Sequence, residues 1–423
     1  MKAVNPPVSY YLNASTLAKC AGVAFAVNVF FIFFGTSKPF PESLPDTGSS
    51  NINNQLLSLV YLTALISLWG KQDEVFTFIR KEKFFTLLML WALISVSWSG
   101  DTMISLKRWI GLFGEAIVCL AAMLHFKWSE VALRYMRAIL FLYLPLTILS
   151  VMFVHDAIQW EFPAWRGLED TKNNLGQVAI FSTIIILAII SYHKDFKSNL
   201  IHFMLLASSL ACLVGSSSTT SMMIGAFLLV ILGAMNVGKL FRSGHVAIFY
   251  GAVLLLGGLA IALIVSFFAP EILQLVFDFL GKDMTFTGRV ELWQTTLAMT
   301  EGKELKGWGL GGYWIMDSAH LIPVFEQFVW IPNQSHQGYI DVYNQLGIVG
   351  LGLLVCAILN YFVGLSKLQK KHVWKWIFIG LIILNFQESA LLRPRHFGNF
   401  LFVFCYIALF TDLIKEKRNT PLY

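Results

Sequence analysis

The sequence predicts an all-α, polytopic integral membrane protein with about twelve transmembrane helices. The chain has 423 residues, of which 57% are hydrophobic and only 13% charged. Soluble domains carry roughly 25% charged residues, so most of this surface is expected to face lipid. Apolar runs of roughly 20 residues, long enough to cross a bilayer, recur along the whole length. We therefore expect one transmembrane domain over residues 1–423, with no separate soluble domain.

Short polar connections separate the predicted spans. The spans are Leu17–Phe34, Ile52–Trp69, Phe84–Trp98, Trp109–Phe126, Ala138–Val154, Leu175–Tyr192, Leu200–Gly215, Met222–Val237, Val246–Phe268, Gly338–Val363, Trp374–Phe386 and Phe397–Ile414. The bounds near 200–237 are the least defined, because the linker Gly215–Ser221 has no charge and can lie within the membrane. No cleavable signal peptide is expected, because the first apolar run is not followed by a small-residue cleavage site and a soluble mature domain.

The positions of Lys and Arg predict the orientation. With both termini in the cytoplasm, about 20 of the 31 cations fall on the inner side, the excess expected there. A long polar loop, residues 269–336, then lies on the periplasmic face. The short outer connections are expected to hold Lys107, Arg108, Arg166, Lys172, Arg393 and Arg395. Because the cations are scattered as topology determinants, the net charge of +6 does not indicate a nucleic-acid partner.

The loop 269–336 is predicted to contain short helices. Residues 270–277 have the pattern of an amphipathic helix that lies on the membrane surface. Thr287 is a suitable N-cap for a second helix that continues to about Met299. The segment Gly307–Gly312 is too rich in glycine for a helix and predicts a tight turn. The span Gly338–Val363 that follows is expected to be the longest uninterrupted apolar helix.

No metal or cofactor site is predicted. The five cysteines all lie in apolar runs, where we expect them to be small packing residues. The sequence has no His-Glu-x-x-His or Cys-x-x-Cys pattern for a metal, and no Gly-x-Ser-x-Gly pattern for a serine nucleophile.

His336 and Arg289 are the principal catalytic candidates. His336 lies where the polar loop meets a span, and histidine is the usual general base because its ordinary pKa is roughly 6.5. The alternative is a histidine that only caps the helix start. Arg289 follows a glycine in a first helical turn, where it can bind a phosphate through two donors. The alternative is a surface ion pair with Glu291 or Asp283.

A second set of polar residues is expected to complete an outer-face pocket. The candidate anion ligands are Arg108, Arg166 and Lys172, and the candidate lining residues are Asp341, Tyr339, Glu388, Arg393 and Arg395. The alternative for the cations is snorkelling to the interface, or a helix cap beside Asn174. Glu115 lies within a span, and a buried contact with an arginine is favoured there over a proton relay.

Several motifs together resemble the O-antigen ligase and Wzy-type polymerase superfamily of bacterial envelope glycosyltransferases. They are Trp98–Asp101 with Lys107 and Arg108, Arg166–Gly176, Thr287–Trp293, Ser335–Asp341 and Gly347–Gly352. One departure is Gln337, where many relatives carry asparagine.

The resemblance implies a GT-C-like fold and a metal-independent transfer of a polyprenyl-diphosphate-linked glycan to a hydroxyl. It implies that Arg289 binds the diphosphate, that His336 is the base, and that Arg166 and Lys172 are further diphosphate contacts. The implied partners are the lipid-linked donor, a glycan or lipid A core acceptor, and membrane lipids. The implied location is the bacterial inner membrane, with the site on the periplasmic side.

The favoured reaction is polymerisation of lipid-linked repeat units of an exopolysaccharide or O-antigen. Ligation of finished glycan to lipid A core remains open, because no residue decides the acceptor. A sugar or lipid transporter would instead have internal repeats and a site at the bilayer midplane. A non-catalytic assembly scaffold would tolerate the loss of both His336 and Arg289.

Overall fold

A computed structural model describes residues 14–34, 51–159, 163–192, 196–226, 289–315, 318–328 and 332–419. These residues are mainly helical. The helices are α1 Ala14–Phe34, α2 Asn51–Ser67, α3 Gln72–Lys81, α4 Lys83–Ser95, α5 Thr102–His125, α6 Ala132–Phe153, α7 Lys172–Tyr192, α8 Phe196–Gly215, α9 Arg289–Ala298, α10 Ile322–Gln327, α11 Gly338–Lys367, α12 Lys375–Leu384 and α13 Phe397–Asn419. The predicted span Val246–Phe268, most of the span Met222–Val237, the helix at 270–277 and the cap Thr287 lie outside the described residues.

Within the described residues, six helices are long and apolar enough to cross a membrane, as expected for a polytopic membrane protein. They are α1, α5, α6, α7, α11 and α13. The apolar helices over Lys83–Trp98, Leu200–Gly215 and Lys375–Leu384 are shorter. The count of about twelve stays a prediction, because two of the predicted spans lie wholly or mostly outside the described residues and several other apolar runs form helices shorter than the roughly 20 residues of a full span.

Helix α13 lies at the centre of the bundle. Its apolar stretch is buried along its whole length, and α13 packs against α5, α12 and α11. Stacked aromatic rings fill the interface: Tyr361 and Phe378 have centroids 3.6 Å apart, and Phe378 and Phe402 5.1 Å apart. Lipid tails are as apolar as these side chains, so close packing rather than exclusion of water holds the helices together.

Three local features differ from the prediction. A short helix, α3, occupies a stretch expected to be an inner connection. An antiparallel hairpin pairs β1, Ile158–Gln159, with β2, Ala164–Trp165. Lys107 and Arg108 lie in the second turn of α5 and not in a connection. Helix α5 begins earlier than predicted because the Asp101 side chain caps it, accepting a hydrogen bond from the Ile104 amide at 2.9 Å.

The prediction of a tight turn at Gly307–Gly312 is confirmed. Gly307, Gly309 and Gly311 all have positive φ angles, 66°, 89° and 69°, which favour glycine. The helix predicted to follow Thr287 is present as α9. A small separate core joins these elements, with Leu292 of α9 buried beside Tyr313.

Helix α11 is not uninterrupted, and that prediction is wrong. Gly347 has φ 65° and ψ −170°, which kinks the helix. The segment before the glycine-rich turn fits against this kink so closely that a Cβ on Gly347 would lie 2.3 Å from the Leu305 carbonyl oxygen. The Trp308 amide donates to the Asn344 carbonyl at 2.9 Å. The turn thus donates a hydrogen bond to a backbone carbonyl that the kink leaves without its helical partner. This contact anchors the loop to α11.

Candidate active site

The centre of the candidate site is the Glu388 carboxylate, in the connection between α12 and α13. Arg289 Nη2 donates to Glu388 Oε1 at 3.2 Å, and Asn173 Nδ2 donates to the same oxygen at 3.1 Å. His336 Nδ1 lies 3.4 Å from Glu388 Oε2. The Glu388 side chain is only 6% exposed, whereas Arg289 and His336 are 20% and 23% exposed. The two principal candidates therefore meet on one buried carboxylate and remain open to solvent.

The surroundings of Glu388 keep it ionised. Burial alone would raise the pKa of this carboxyl, but the hydrogen bond and charge of His336 and the charge and hydrogen bond of Arg289 lower the pKa below its ordinary value. A buried carboxylate needs such partners, since an unpaired charge is costly away from water.

Arg289 is held by the first turn of α9. Its Nη1 donates to the Gln387 carbonyl oxygen, next to the Glu388 contact. One turn further along α9, Trp293 Nε1 donates to the Ser335 carbonyl at 2.8 Å. The same short helix therefore fixes both Arg289 and the residue before His336.

The backbone at His336 adopts an unusual conformation. Its φ is 53°, in the left-handed region that non-glycine residues seldom occupy. The flanking contacts enforce it: the Ser335 amide donates to Asp341 Oδ1 at 3.1 Å, and the Gln337 amide donates to Ser389 Oγ at 3.1 Å. Strain of this kind is found at functional sites, where the surrounding structure over-determines it.

Asp341 supports this turn. The side chain is buried and also accepts a hydrogen bond from Trp314 Nε1 at 2.9 Å. With the Ser335 contact, Asp341 joins the glycine-rich turn region, the His336 turn and the start of α11. Asp341 therefore orients His336 indirectly, through its hydrogen bond with the backbone amide of Ser335.

The neighbours of His336 favour one tautomer. Nδ1 lies 3.2 Å from Gln334 Nε2 as well as 3.4 Å from Glu388 Oε2. The Gln334 amide oxygen accepts from Arg393 Nη1, which directs the amide nitrogen toward the ring and would require Nδ1 to accept. The carboxylate can only accept, so it requires a proton on Nδ1. We favour the Nδ1–H form because a hydrogen bond to a charged carboxylate is the stronger of the two.

Two further cations border this cluster. Arg393 donates to the Ser389 carbonyl at 3.3 Å as well as to Gln334, and Arg108 Nη1 donates to the Gly311 carbonyl at 3.1 Å. Burial lowers the pKa of the Arg393 guanidinium, and the nearby charge of Arg108 acts in the same direction. Arginine nevertheless stays charged in proteins, so the cluster remains cationic around Glu388.

The structure does not bring Arg166 and Arg395 onto Glu388. Arg166 Nε donates to the Asp156 carbonyl beside the β-hairpin. Arg395 Nη2 donates to Asn54 Oδ1 of α2. Each is therefore directed toward a neighbouring segment and not toward the shared carboxylate.

Tyr339 and Lys172 have other positions, and His396 lies in the α12–α13 connection directly before α13. The Tyr339 hydroxyl donates to the Ile382 carbonyl of α12 at 2.8 Å, which gives it a packing role. Lys172 is the first residue of α7, directly before Asn173. Burial, with the charge of Arg393, lowers the pKa of His396 to about 3, so His396 is neutral at pH 7 and adds no positive charge.

Glu115, the carboxylate within the α5 span, is also buried. It accepts from the Arg395 backbone amide, and Asn399 Nδ2 donates to its Oε2 at 3.0 Å. The predicted contact with an arginine is present but is made through the main chain. Both hydrogen-bond donors to Glu115 are therefore neutral groups.

The sequence reasoning missed the role of four polar residues. Asn173 contacts Glu388, and Gln334 contacts His336. Ser389 holds the backbone next to His336, and the Gln387 carbonyl holds Arg289. Their signal was weak, because each resembles an ordinary helix cap or loop residue. Among the described residues, His, Cys, Asp and Glu form no group of three that would hold a metal ion.

Comparison with known proteins shows which proteins part of the chain resembles. Residues 202–355 match the family model described as O-Antigen ligase (Wzy_C), a range that includes Arg289 and His336. The chain is 27% identical over 204 residues to "Exopolysaccharide production protein ExoQ" of Rhizobium meliloti (strain 1021). That alignment covers 46% of this chain and 46% of the relative, so it spans about half the length of each. These matches confirm the resemblance seen in the motifs: residues 202–355 are similar to the O-antigen ligase family, and about half of the chain is similar to an exopolysaccharide production protein.

Proposed function

We propose that this chain is a glycosyltransferase that polymerises polyprenyl-diphosphate-linked repeat units of an exopolysaccharide or O-antigen. The main support is the shared Glu388 carboxylate, which holds a guanidinium and an imidazole side by side. The reaction needs both groups close together, because an anionic leaving group departs while a hydroxyl loses its proton.

Arg289 binds the diphosphate in this proposal. A guanidinium has five N–H donors, and the contacts with Gln387 and Glu388 occupy two of them. Others can bind phosphate oxygens bidentately while Glu388 keeps the side chain in place. Arg393 and Arg108 add positive charge nearby. Fixed positive charge stabilises the leaving diphosphate as the glycosidic bond breaks, and preorganised electrostatics is usually the largest catalytic term. No step of the proposal passes through a metal.

His336 acts as the general base. The acceptor hydroxyl oxygen forms a bond with the anomeric carbon, the bond from that carbon to the diphosphate oxygen breaks, and the hydroxyl proton moves to His336. In the Nδ1–H tautomer, Nε2 is the nitrogen that accepts the proton. The ionised Glu388 carboxylate then stabilises the imidazolium that forms. A positioned base contributes roughly 10²–10⁴-fold to such a reaction.

We propose that the site faces the periplasm of the bacterial inner membrane and that both termini are cytoplasmic. The support is the excess of Lys and Arg in the segments at the other ends of the spans. The long loop 269–336 then belongs to the periplasmic side, as the sequence predicts. A donor anchored in the membrane by its polyprenyl tail reaches a site of this kind by lateral diffusion.

The acceptor distinguishes polymerase from ligase. The relative is named for exopolysaccharide production, which supports the polymerase proposal, whereas the family model is described as O-antigen ligase, which supports the alternative of a ligase. The purified chain in liposomes is given a polyprenyl-diphosphate-linked glycan together with either a second lipid-linked unit or lipid A core. Chain extension on the second unit is expected, and transfer only to lipid A core would establish the ligase.

The catalytic proposal is tested with His336→Ala and Arg289→Ala in the same assay. We expect His336→Ala to lower the transfer rate roughly 10²–10⁴-fold, and Arg289→Ala to weaken donor binding as well as turnover. The matched controls are His155→Ala, a 79% exposed histidine beside the hairpin, and Arg80→Ala, an exposed arginine on α3.

Both control variants are expected to transfer glycan at the normal rate. Normal transfer by both His336→Ala and Arg289→Ala would refute the mechanism, and no transfer by the purified wild-type chain would leave a scaffold role. Movement of intact substrate across the liposome membrane that survives both substitutions would indicate a transporter.

A further inference from the structure

A second cationic site lies far from Glu388, at the other end of the helices. A cavity of about 400 Å³ opens between the start of α6, the end of α7 and the α11–α12 connection. Four cations line it: Lys127, Arg134, Arg137 and Lys370. The catalytic proposal uses none of them.

The position of this cavity relative to the membrane follows from α7. Asn173, at the start of α7, contacts Glu388, and Ile189, near its end, lines the cavity. Sixteen residues of α-helix separate them, which corresponds to about 24 Å at roughly 1.5 Å per residue. Helix α7 is one of the helices long and apolar enough to cross a membrane, which places the cavity and the candidate active site near opposite faces.

The charge of the cavity suits an anion. Glu130 is the one carboxylate among its lining residues, and it is paired with Lys370 at 2.6 Å. Four cations and one carboxylate leave a net charge of +3. Lys127 and Arg134 are exposed, and the net positive charge of the cavity attracts a negatively charged group from solution or from the membrane.

The shape of the cavity suits an amphiphile. Lys370 Nζ lies 4.2 Å from the centre of the Trp128 ring, and tryptophan is typical of the membrane–water interface. Leu133 and Ile189 form an apolar wall. Phe141 follows Arg137 by four positions, so the two side chains share one face of α6. Phe141 is 58% exposed in the bundle, so it continues the wall from the cations toward the bilayer interior.

We propose that this cavity binds the phosphate headgroup of an anionic phospholipid, with an acyl chain lying along the Phe141 face of α6. Basic pockets between transmembrane helices are known to bind acidic lipid headgroups. The lipid comes from the leaflet opposite the candidate active site. Its phosphate lies between the arginines of α6 and Lys370, and so joins the α5–α6 and α11–α12 connections.

The experiment measures thermal stability of the full chain in detergent with added lipids. The probes are phosphatidylglycerol, phosphatidylcholine with the same acyl chains, and inorganic phosphate. We expect phosphatidylglycerol to stabilise the wild-type chain and the other two to have little effect. The Arg134→Gln/Arg137→Gln double variant should bind phosphatidylglycerol about tenfold or more weakly, since each cation near a membrane surface contributes to anionic-lipid binding.

The control is Arg80→Gln/Lys83→Gln, which removes two exposed cations outside the cavity and should keep the preference. An equal loss in this control would refute the site in favour of general surface charge. Stabilisation by phosphate alone would replace the lipid with a free anion, and no preference in the wild type would also refute the proposal. If the double variant does not fold, Lys127→Gln decides: a weakened preference supports the site, and an unchanged one contradicts it.

Discussion

Two buried glutamates near the α12–α13 connection have opposite surroundings. Glu388 contacts the ionisable side chains of Arg289 and His336, both partly open to solvent. Glu115 contacts the Arg395 backbone amide and the Asn399 side chain, which are neutral donors. The same side chain is thus used in two ways. Neutral donors give a fixed structural contact, whereas charged and titratable partners give a group that can respond to a substrate.

The comparison predicts that Glu388 is the more important of the two for transfer. Glu388→Gln should lower turnover roughly 100-fold or more, because Arg289 loses its anchor and the imidazolium of His336 loses its counter-charge. The measurement is glycan transfer by folded protein recovered from size-exclusion chromatography.

Glu115→Gln is the matched control for Glu388→Gln. It should reduce the free energy of unfolding by about 1–3 kcal/mol, since one buried donor loses its acceptor, and leave turnover of the folded chain close to normal. A larger loss of turnover from Glu115→Gln than from Glu388→Gln would reverse the interpretation of the two sites.

The next effect in size concerns the shape of the Arg289 cation. Arg289→Lys keeps the charge, but one ammonium cannot reproduce the paired donors to the Gln387 carbonyl and Glu388. We expect a loss of roughly tenfold in kcat/KM, mostly as weaker donor binding. Arg418→Lys, in an ion pair with Glu74, is the control and should leave kcat/KM unchanged. Full activity of Arg289→Lys would show that only charge matters there.

Asn173→Ala removes the third contact with Glu388 and should have a smaller effect. A hydrogen bond to a charged group contributes about 1.5–3 kcal/mol, but Arg289 and His336 still hold the carboxylate. We expect turnover to fall only a few-fold. Asn174→Ala changes the neighbouring residue at the same helix start, and its turnover should be unchanged. Equal effects of the two substitutions would indicate that the helix start matters and not the Glu388 contact.

The smallest effect is on the dependence of stability on pH. The folded-state pKa of Glu388 is lowered below the ordinary 4.5, so its ion contacts stabilise the chain above that pH. This stabilisation is lost as the pH falls through the lower folded-state value. Thermal melts of the wild type and Glu388→Gln should therefore differ at pH 7 and converge in acid. A constant difference over that range would contradict an ionised Glu388.

Local sequence features were predicted well. The low charge content indicated a membrane protein, the glycines at 307–312 indicated a turn, and the pattern after Thr287 indicated the helix that begins at Arg289. The kink at Gly347 was missed, although the glycine was visible, because it depends on a loop that packs against the helix from outside. The short helix α3 and the early start of α5 were missed because capping and amphipathic patterns are weak beside strong apolar runs.

The sequence by itself determined the class of protein and named Arg289 and His336, because hydropathy and short motifs depend on neighbouring residues. Only the tertiary structure decided that they share Glu388. That carboxylate lies 99 positions from Arg289, 52 from His336 and 215 from Asn173 along the chain. Such distant residues meet only because the helices that carry them pack side by side, and packing depends on the shapes of whole helices, which no short stretch of sequence contains.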